Sequence, residues 1–319
     1  MKTRSRQPEC PLSRRRLARR QIFSRIAWLS LMASLWAAIG SATTDERVLA
    51  DTDRLWETRA EQLEGERALA PPTERALERY RDAIVPDAPL AATIEARWKS
   101  LRAAHYLSEF TTASPALGDQ RIQEATRLAD ASLEAVRRRT GGEDLSELSD
   151  RRLEEWLDAS GMARQDIAQL HFWCAIVWGA QAQRVGLLTI VRQGIARRMY
   201  DNATLATRID PTIVRGGAFR LLSRLNADLP RVPFVSGWVD RDETLPQAEA
   251  AFAIDPEDPG NQMILALALR DRQAEPASRI EELLAKAARH TPRTALRAED
   301  LAIRKQAEEW LAELRKDTD

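Results

Sequence analysis

Three histidines, His105, His171 and His290, are all the imidazoles the chain has, and they are scattered along it. No two stand at the H-x-x-x-H spacing that would put a pair of ligands on one helix face, so the pattern points away from a metal site. Of the two cysteines, Cys10 lies in a basic leader and Cys174 lies inside an apolar run beside Trp173. Cys174 therefore reads as a small buried residue, and no disulfide framework is expected. Carboxylates are abundant, but most sit four residues from an arginine, the spacing of helix-surface ion pairs. Nothing in the sequence selects two of them as an acid–base dyad. A nucleophile elbow, a phosphate-binding loop and a dinucleotide fingerprint are all missing. The chemistry left to the chain is binding, with neither cofactor nor metal called for.

The residues that could bind are aromatic, glycine and arginine. Phe172, Trp173 and Trp178 lie in one long apolar run, QDIAQLHFWCAIVWGAQAQRV, where Ile167, Leu170, Cys174, Val177 and Trp178 repeat at helical spacing. Five positions on a helix turn through about 140°, so one of Trp173 and Trp178 can face the core while the other faces a cavity or partner; the alternative is that both are core. Gly216 and Gly217 precede Phe219 and Arg220, a step that permits close backbone approach. Arg220 is expected to close a cavity or meet an anionic ligand group, or else to sit in a surface ion pair. Pro233, Phe234 and Trp238 fall in a long loop from Asn226 to Pro246, rich in proline and aromatics. It either packs over the core or faces a partner.

These residues must be carried by helices. Lys and Arg total 48, as do Asp and Glu, and that balance argues against a nucleic-acid partner. Ala, Leu, Arg and Glu dominate, and alternating β-type runs are nearly absent, so the fold class is all-α. A polar helix is expected over residues 45–66. Pro71-Pro72 should break it, and Thr73 should cap the next helix. Further helices are predicted over residues 90–110, over residues 120–139 with glycines 141 and 142 as the cap, over residues 150–160, and over residues 164–193 with a kink near Gly186. Three later helices end alike. Ala203 and Ala206 precede Pro211, Ala248 and Ala251 precede Pro256, and Leu284 and Ala287 precede Pro292, always by eight and five residues. Ala76, Tyr80 and Ala83 make a similar small–large–small face. Recurrence of this kind is the mark of a tetratricopeptide-like array of antiparallel helix pairs, an α–α superhelix. The charged final helix is expected to cap it.

The first 42 residues read as a leader: arginines 14–16, 19 and 20, then an apolar stretch from Ile26 to Ala42. Cleavage is expected after Ala42, leaving residues 43–319 as one helical domain in the periplasm. The export route is left open between a general and a twin-arginine signal, and an uncleaved anchor remains an alternative.

Residues from Leu170 to Pro292 resemble the T component of TRAP-type transporters. The resemblance is carried by His171-Phe172-Trp173, Asp210-Pro211, Arg215 to Arg220, Pro230, Pro233-Phe234, Ser236-Gly237, Ala248 to Pro256, and Asn261. It implies a non-enzymatic periplasmic protein that forms a homo-oligomer, by resemblance a trimer. It further implies an apolar cavity for a small ligand and docking on the solute-binding protein of a tripartite transporter. A general envelope scaffold holding other proteins is the alternative.

Overall fold

The computed structural model describes residues 47–185, 194–229, 231, 236–273 and 276–316. The chain divides at Ala50, and the helical array lies in the second unit, Asp51–Asp319. The leader, the position of Gly186, Pro233 and Phe234 lie outside the described residues.

The first described helix, α1, covers residues 47–57, of which 51–57 lie in the second unit. The expected polar helix ends there, because a turn and a two-stranded antiparallel hairpin, Leu63–Glu64 with Arg67–Ala68, follow instead. Gly65 at φ +62° makes the reversal. Helix α2 (Ala70–Asp82) contains Pro71 and Pro72 in its first turn, where a missing N–H costs nothing. The prolines thus start this helix rather than break the chain, and Thr73 is buried inside it rather than capping it. Helix α3 (Leu90–Phe110) has the predicted bounds. Helix α4 (Pro115–Arg139) begins five residues before the expected start. Ser114 caps it by accepting from Leu117 N, and Pro115 opens it. Its C-terminus closes as the sequence implied: Gly142 N donates to Arg137 O at 2.9 Å, with Gly141 and Gly142 at positive φ.

Helices α5 (Asp150–Ala159) and α6 (Arg164–Val185) come next. They are followed by α7 (Ile195–Ile209), α8 (Gly217–Asp228) and α9 (Thr244–Ile254). Helices α10 (Pro259–Arg272), α11 (Ala277–Arg289) and α12 (Arg297–Lys316) complete the chain. From α6 on, each helix packs on the next; α3 is shared by α2, α4 and α6, and α12 returns to touch α3. The fold is an all-α array of antiparallel helix pairs.

Small residues explain the close packing. Ala129, Ser132, Ala203, Ala206, Ala248, Ala251 and Ala287 are all fully buried, so the recurring small positions are the contact faces between helices. Helix α10 is buried along every face from Pro259 to Leu269, wedged among α8, α9, α11 and α12. Cys174 is buried against the Ala129 carbonyl, and burial pushes its thiol well above the usual range, which leaves it inert. Among the described residues, no helix is long and apolar enough to cross a membrane.

Candidate functional site

Helices α1, α3, α6 and α12 line an open-sided cavity of about 450 Å³. That volume lies within the range of small-molecule sites. One wall is aromatic. Trp56 meets Tyr106 edge-on with centroids 5.3 Å apart, and Phe172 meets Trp173 edge-on at 5.1 Å. Phe110, Ile176, Leu296 and Ile303 extend the apolar surface.

The rest of the lining is charged. Arg59, only 3% exposed, pairs with Glu299 at 2.7 Å and stacks on Trp56, its guanidinium carbon 4.1 Å from the ring centroid. This pair joins the first turn after α1 to α12, across 240 residues. Arg102 stands over Trp56 at 4.2 Å and Trp98 at 4.9 Å. Burial pulls Arg102 down to about 10, against the favourable fields of Tyr80 and Asp53. Burial likewise raises Glu299, and Arg59 opposes the shift.

The opposite end is built around Asp258, which is 2% exposed. Its carboxylate caps α10 by accepting from Gly260 N and Asn261 N. It also accepts from Arg215 Nε at 3.0 Å and Arg293 at 2.9 Å, with Arg220 at 3.5 Å. Burial pushes Asp258 up, but these three guanidiniums outweigh it and hold the carboxyl below its ordinary value. Arg220 also donates to the Val214 and Arg215 carbonyls and to Asn261 Oδ1. Asn261, fully buried, ties the Arg215, Ala251 and Asp255 carbonyls together.

This network holds an unusual turn. Val214, Arg215 and Gly216 all have positive φ, at +46°, +53° and +82°. A β-branched residue in that region is strained by about 1–3 kcal/mol. The carbonyls that Arg220 and Asn261 capture belong to the two strained residues, so the network fixes the cavity wall at this point. Gly216 is required there. A β-carbon on it would lie 3.0 Å from Ala251 Cα and 3.2 Å from its carbonyl oxygen. Gly217 makes room for Phe172, whose ring would meet its β-carbon at 3.0 Å.

The sequence-selected residues thus separate. Phe172, Trp173 and Arg220 line the cavity, and Gly216 and Gly217 shape its wall. Phe219 is half-buried and is not among the lining residues. Trp178 is 1% exposed under the guanidinium of Arg198, 3.9 Å from its ring centroid. It lines a smaller cavity of about 230 Å³ with His171. Of the two tryptophans in α6, Trp173 faces the large cavity and Trp178 does not. Trp238 packs on Tyr200 of α7 with centroids 4.6 Å apart, so this part of the loop covers the helices. Sequence reasoning did not select Trp56, Arg59, Arg102, Tyr106 or Asp258. The run Asp258-Pro259-Gly260-Asn261 carried a helix-start signal, but nothing local marked it as an anchor for three distant arginines.

His105 also lines the cavity, 6.0 Å from Trp173 centroid to centroid. Burial lowers it to about 4, against Glu109 and with Arg184. The ring stays neutral in the folded protein down to that pH, while the unfolded chain takes up a proton near 6.5. Stability is therefore full above pH 6.5 and falls as pH drops towards 4. The ring keeps some exposure, so the expected loss is discounted to roughly 2 kcal/mol. Urea unfolding at pH 7 and pH 4.5 should show this loss, and a His105→Gln variant should show less of it. No difference between the two proteins would reject the assignment.

Among the described residues, no cluster of His, Cys, Asp and Glu could hold a metal ion. No family model matches the sequence, and no curated protein matches it at a significant level.

Proposed function

We propose that this chain is a non-enzymatic binding protein that holds a small, largely apolar molecule in the Trp56–Trp173 cavity. The observation that carries the reading is the cavity itself, of about 450 Å³ with four aromatic rings in two edge-on pairs along its wall. The charged groups there support binding over catalysis. Asp258 is kept ionised by three guanidiniums, and a carboxylate held below its ordinary pKa is a weak proton acceptor. Asp300 and Glu299 are each engaged by an arginine as well.

The setting proposed for this binding comes from the leader and from the resemblance to TRAP T components. The protein acts in the periplasm as a homo-oligomer, docks on the solute-binding protein of a tripartite transporter, and assists in handling the ligand. The test is a crosslinked pull-down of the tagged protein from envelope extract, read by mass spectrometry. Recovery of a periplasmic solute-binding protein or its permease is the expected result. Recovery only of unrelated envelope proteins would overturn the transporter assignment in favour of a general scaffold.

A further inference from the structure

The five arginines of the cavity wall fall into two groups that differ in charge balance. At the Trp56 end, Arg59 and Arg102 stand with Glu57 and Glu299, so the charges match. At the other end, Arg215, Arg220 and Arg293 line the cavity with Asp258 and Asp300. That end of the lining carries one cation in surplus. Asp255 also acts on Arg220, but it is not among the lining residues.

The hydrogen bonds show which arginine holds the surplus. Arg293 directs Nε and Nη2 at Asp300 and Nη1 at Asp258. Arg220 donates through Nη1 to the Arg215 carbonyl and Asn261 Oδ1, and through Nη2 to the Val214 carbonyl. Arg215 gives only its Nε, to Asp258. Its Nη1 and Nη2 have no partner among the described residues, and its side chain is 41% exposed at the cavity wall. Unlike a sealed donor, this edge of the guanidinium is open to a bound molecule.

Apolar surface begins beside it. Val214 lines the cavity, and a β-carbon on Gly217 would lie 3.1 Å from Val214 Cβ and 3.0 Å from the Phe172 ring. The turn that presents Arg215 therefore abuts the Phe172–Trp173 wall. Its backbone is fixed, because Arg220 and Asn261 both donate to the Arg215 carbonyl. Its guanidinium is fixed by the bond to buried Asp258. A donor pair held in place before binding loses little freedom when a ligand arrives.

We infer that the cavity selects an amphipathic monocarboxylate, with its carboxylate on the Nη1–Nη2 edge of Arg215 and its apolar body against Phe172 and Trp173. This rests on the binding reading above. The two terminal nitrogens of a guanidinium form a planar fork that matches both oxygens of a carboxylate. One negative charge meets the one surplus cation. A dianionic phosphate ester would set a second charge beside Asp258 and Asp300, which the other two arginines already neutralise. The apolar wall suits an aryl or an alkyl chain, and candidate acids differ in that chain alone.

Isothermal titration of the purified protein with 4-phenylbutyrate, octanoate and the amide of each tests the inference. The acids should bind about tenfold more tightly than their amides, the low end for a bidentate pair because Arg215 is partly exposed. The tighter of the two acids identifies the chain type. Arg215→Gln should remove most of the preference and leave amide binding in place; Asp258 keeps Arg293 and Arg220, so the fold should hold. Arg215→Lys keeps the charge but not the fork and should retain part of the preference, with melting temperature checked for both variants. Trp173→Leu should weaken acid and amide alike. Equal binding of acid and amide, or a preference that Arg215→Gln leaves intact, overturns the inference while the binding reading stands. Failure of all four probes to bind overturns both.

Discussion

Asp258→Ala should lower the stability of this protein by about 3 kcal/mol at pH 7. The side chain is 2% exposed and serves two structures at once. Its Oδ1 caps α10, the helix buried on every face, and its Oδ2 receives Arg215 and Arg293. Truncation removes the cap, worth about 1 kcal/mol, and leaves three guanidiniums facing one another. Breaking a buried pair costs about 3–5 kcal/mol where the remaining charge is sealed in. Here Arg215 is 41% and Arg293 30% exposed; both can turn to water, which puts the loss at the low end. A domain of this size should lose roughly 6–12 °C in melting temperature. Asp258→Asn keeps an acceptor for the cap and should fall between the two. The pH dependence has a definite sign. The folded-state pKa is depressed, so this stability is present above the unfolded value near 3.9 and is lost as pH falls through the lower folded value. In Asp258→Ala that part of the acid limb should vanish. A variant within about 0.5 kcal/mol of the parent, the range of an inert surface change, would show that the arginines hold the Val214–Gly216 turn without it.

Trp178→Ala should cost more, on the order of 3–5 kcal/mol, the usual range for truncating a buried tryptophan. The ring is 1% exposed beneath Arg198 and does not line the large cavity. The expected result is a large loss in urea-unfolding free energy with ligand affinity retained below the transition. Trp173→Ala should behave in the opposite way. Its ring is half-buried and its indole N–H reaches only Gln169 of its own helix, so stability should drop less while binding is lost. If both substitutions acted alike on stability and binding, the separation of α6 into a core face and a cavity face would be wrong.

That separation shows where sequence reasoning stopped. Helical spacing placed Trp173 and Trp178 on one helix at different angles, but an angle does not say which side holds the core. The packing of α3 and α7 against α6 decided it. Likewise Gly216-Gly217 announced a close approach without naming the partner. The partners are the Ala251 backbone and the Phe172 ring, each some distance away in sequence.

The sequence by itself determined the helical class, the bounds of α3, the glycine cap of α4 and the small-residue contact faces. These depend on residues within a few turns of one another, where propensity, capping and period act locally. It misjudged residues 58–68 and the start of α2. A hairpin has no period to read over so few residues, and proline is compatible with either a break or a first turn. Only the tertiary structure decided the cavity. Arg59 meets Glu299 because α12 returns to the first helices of the array. Arg215, Arg220 and Arg293 meet on Asp258 because separate elements of the array converge there. Both are consequences of long-range closure, which no local pattern encodes.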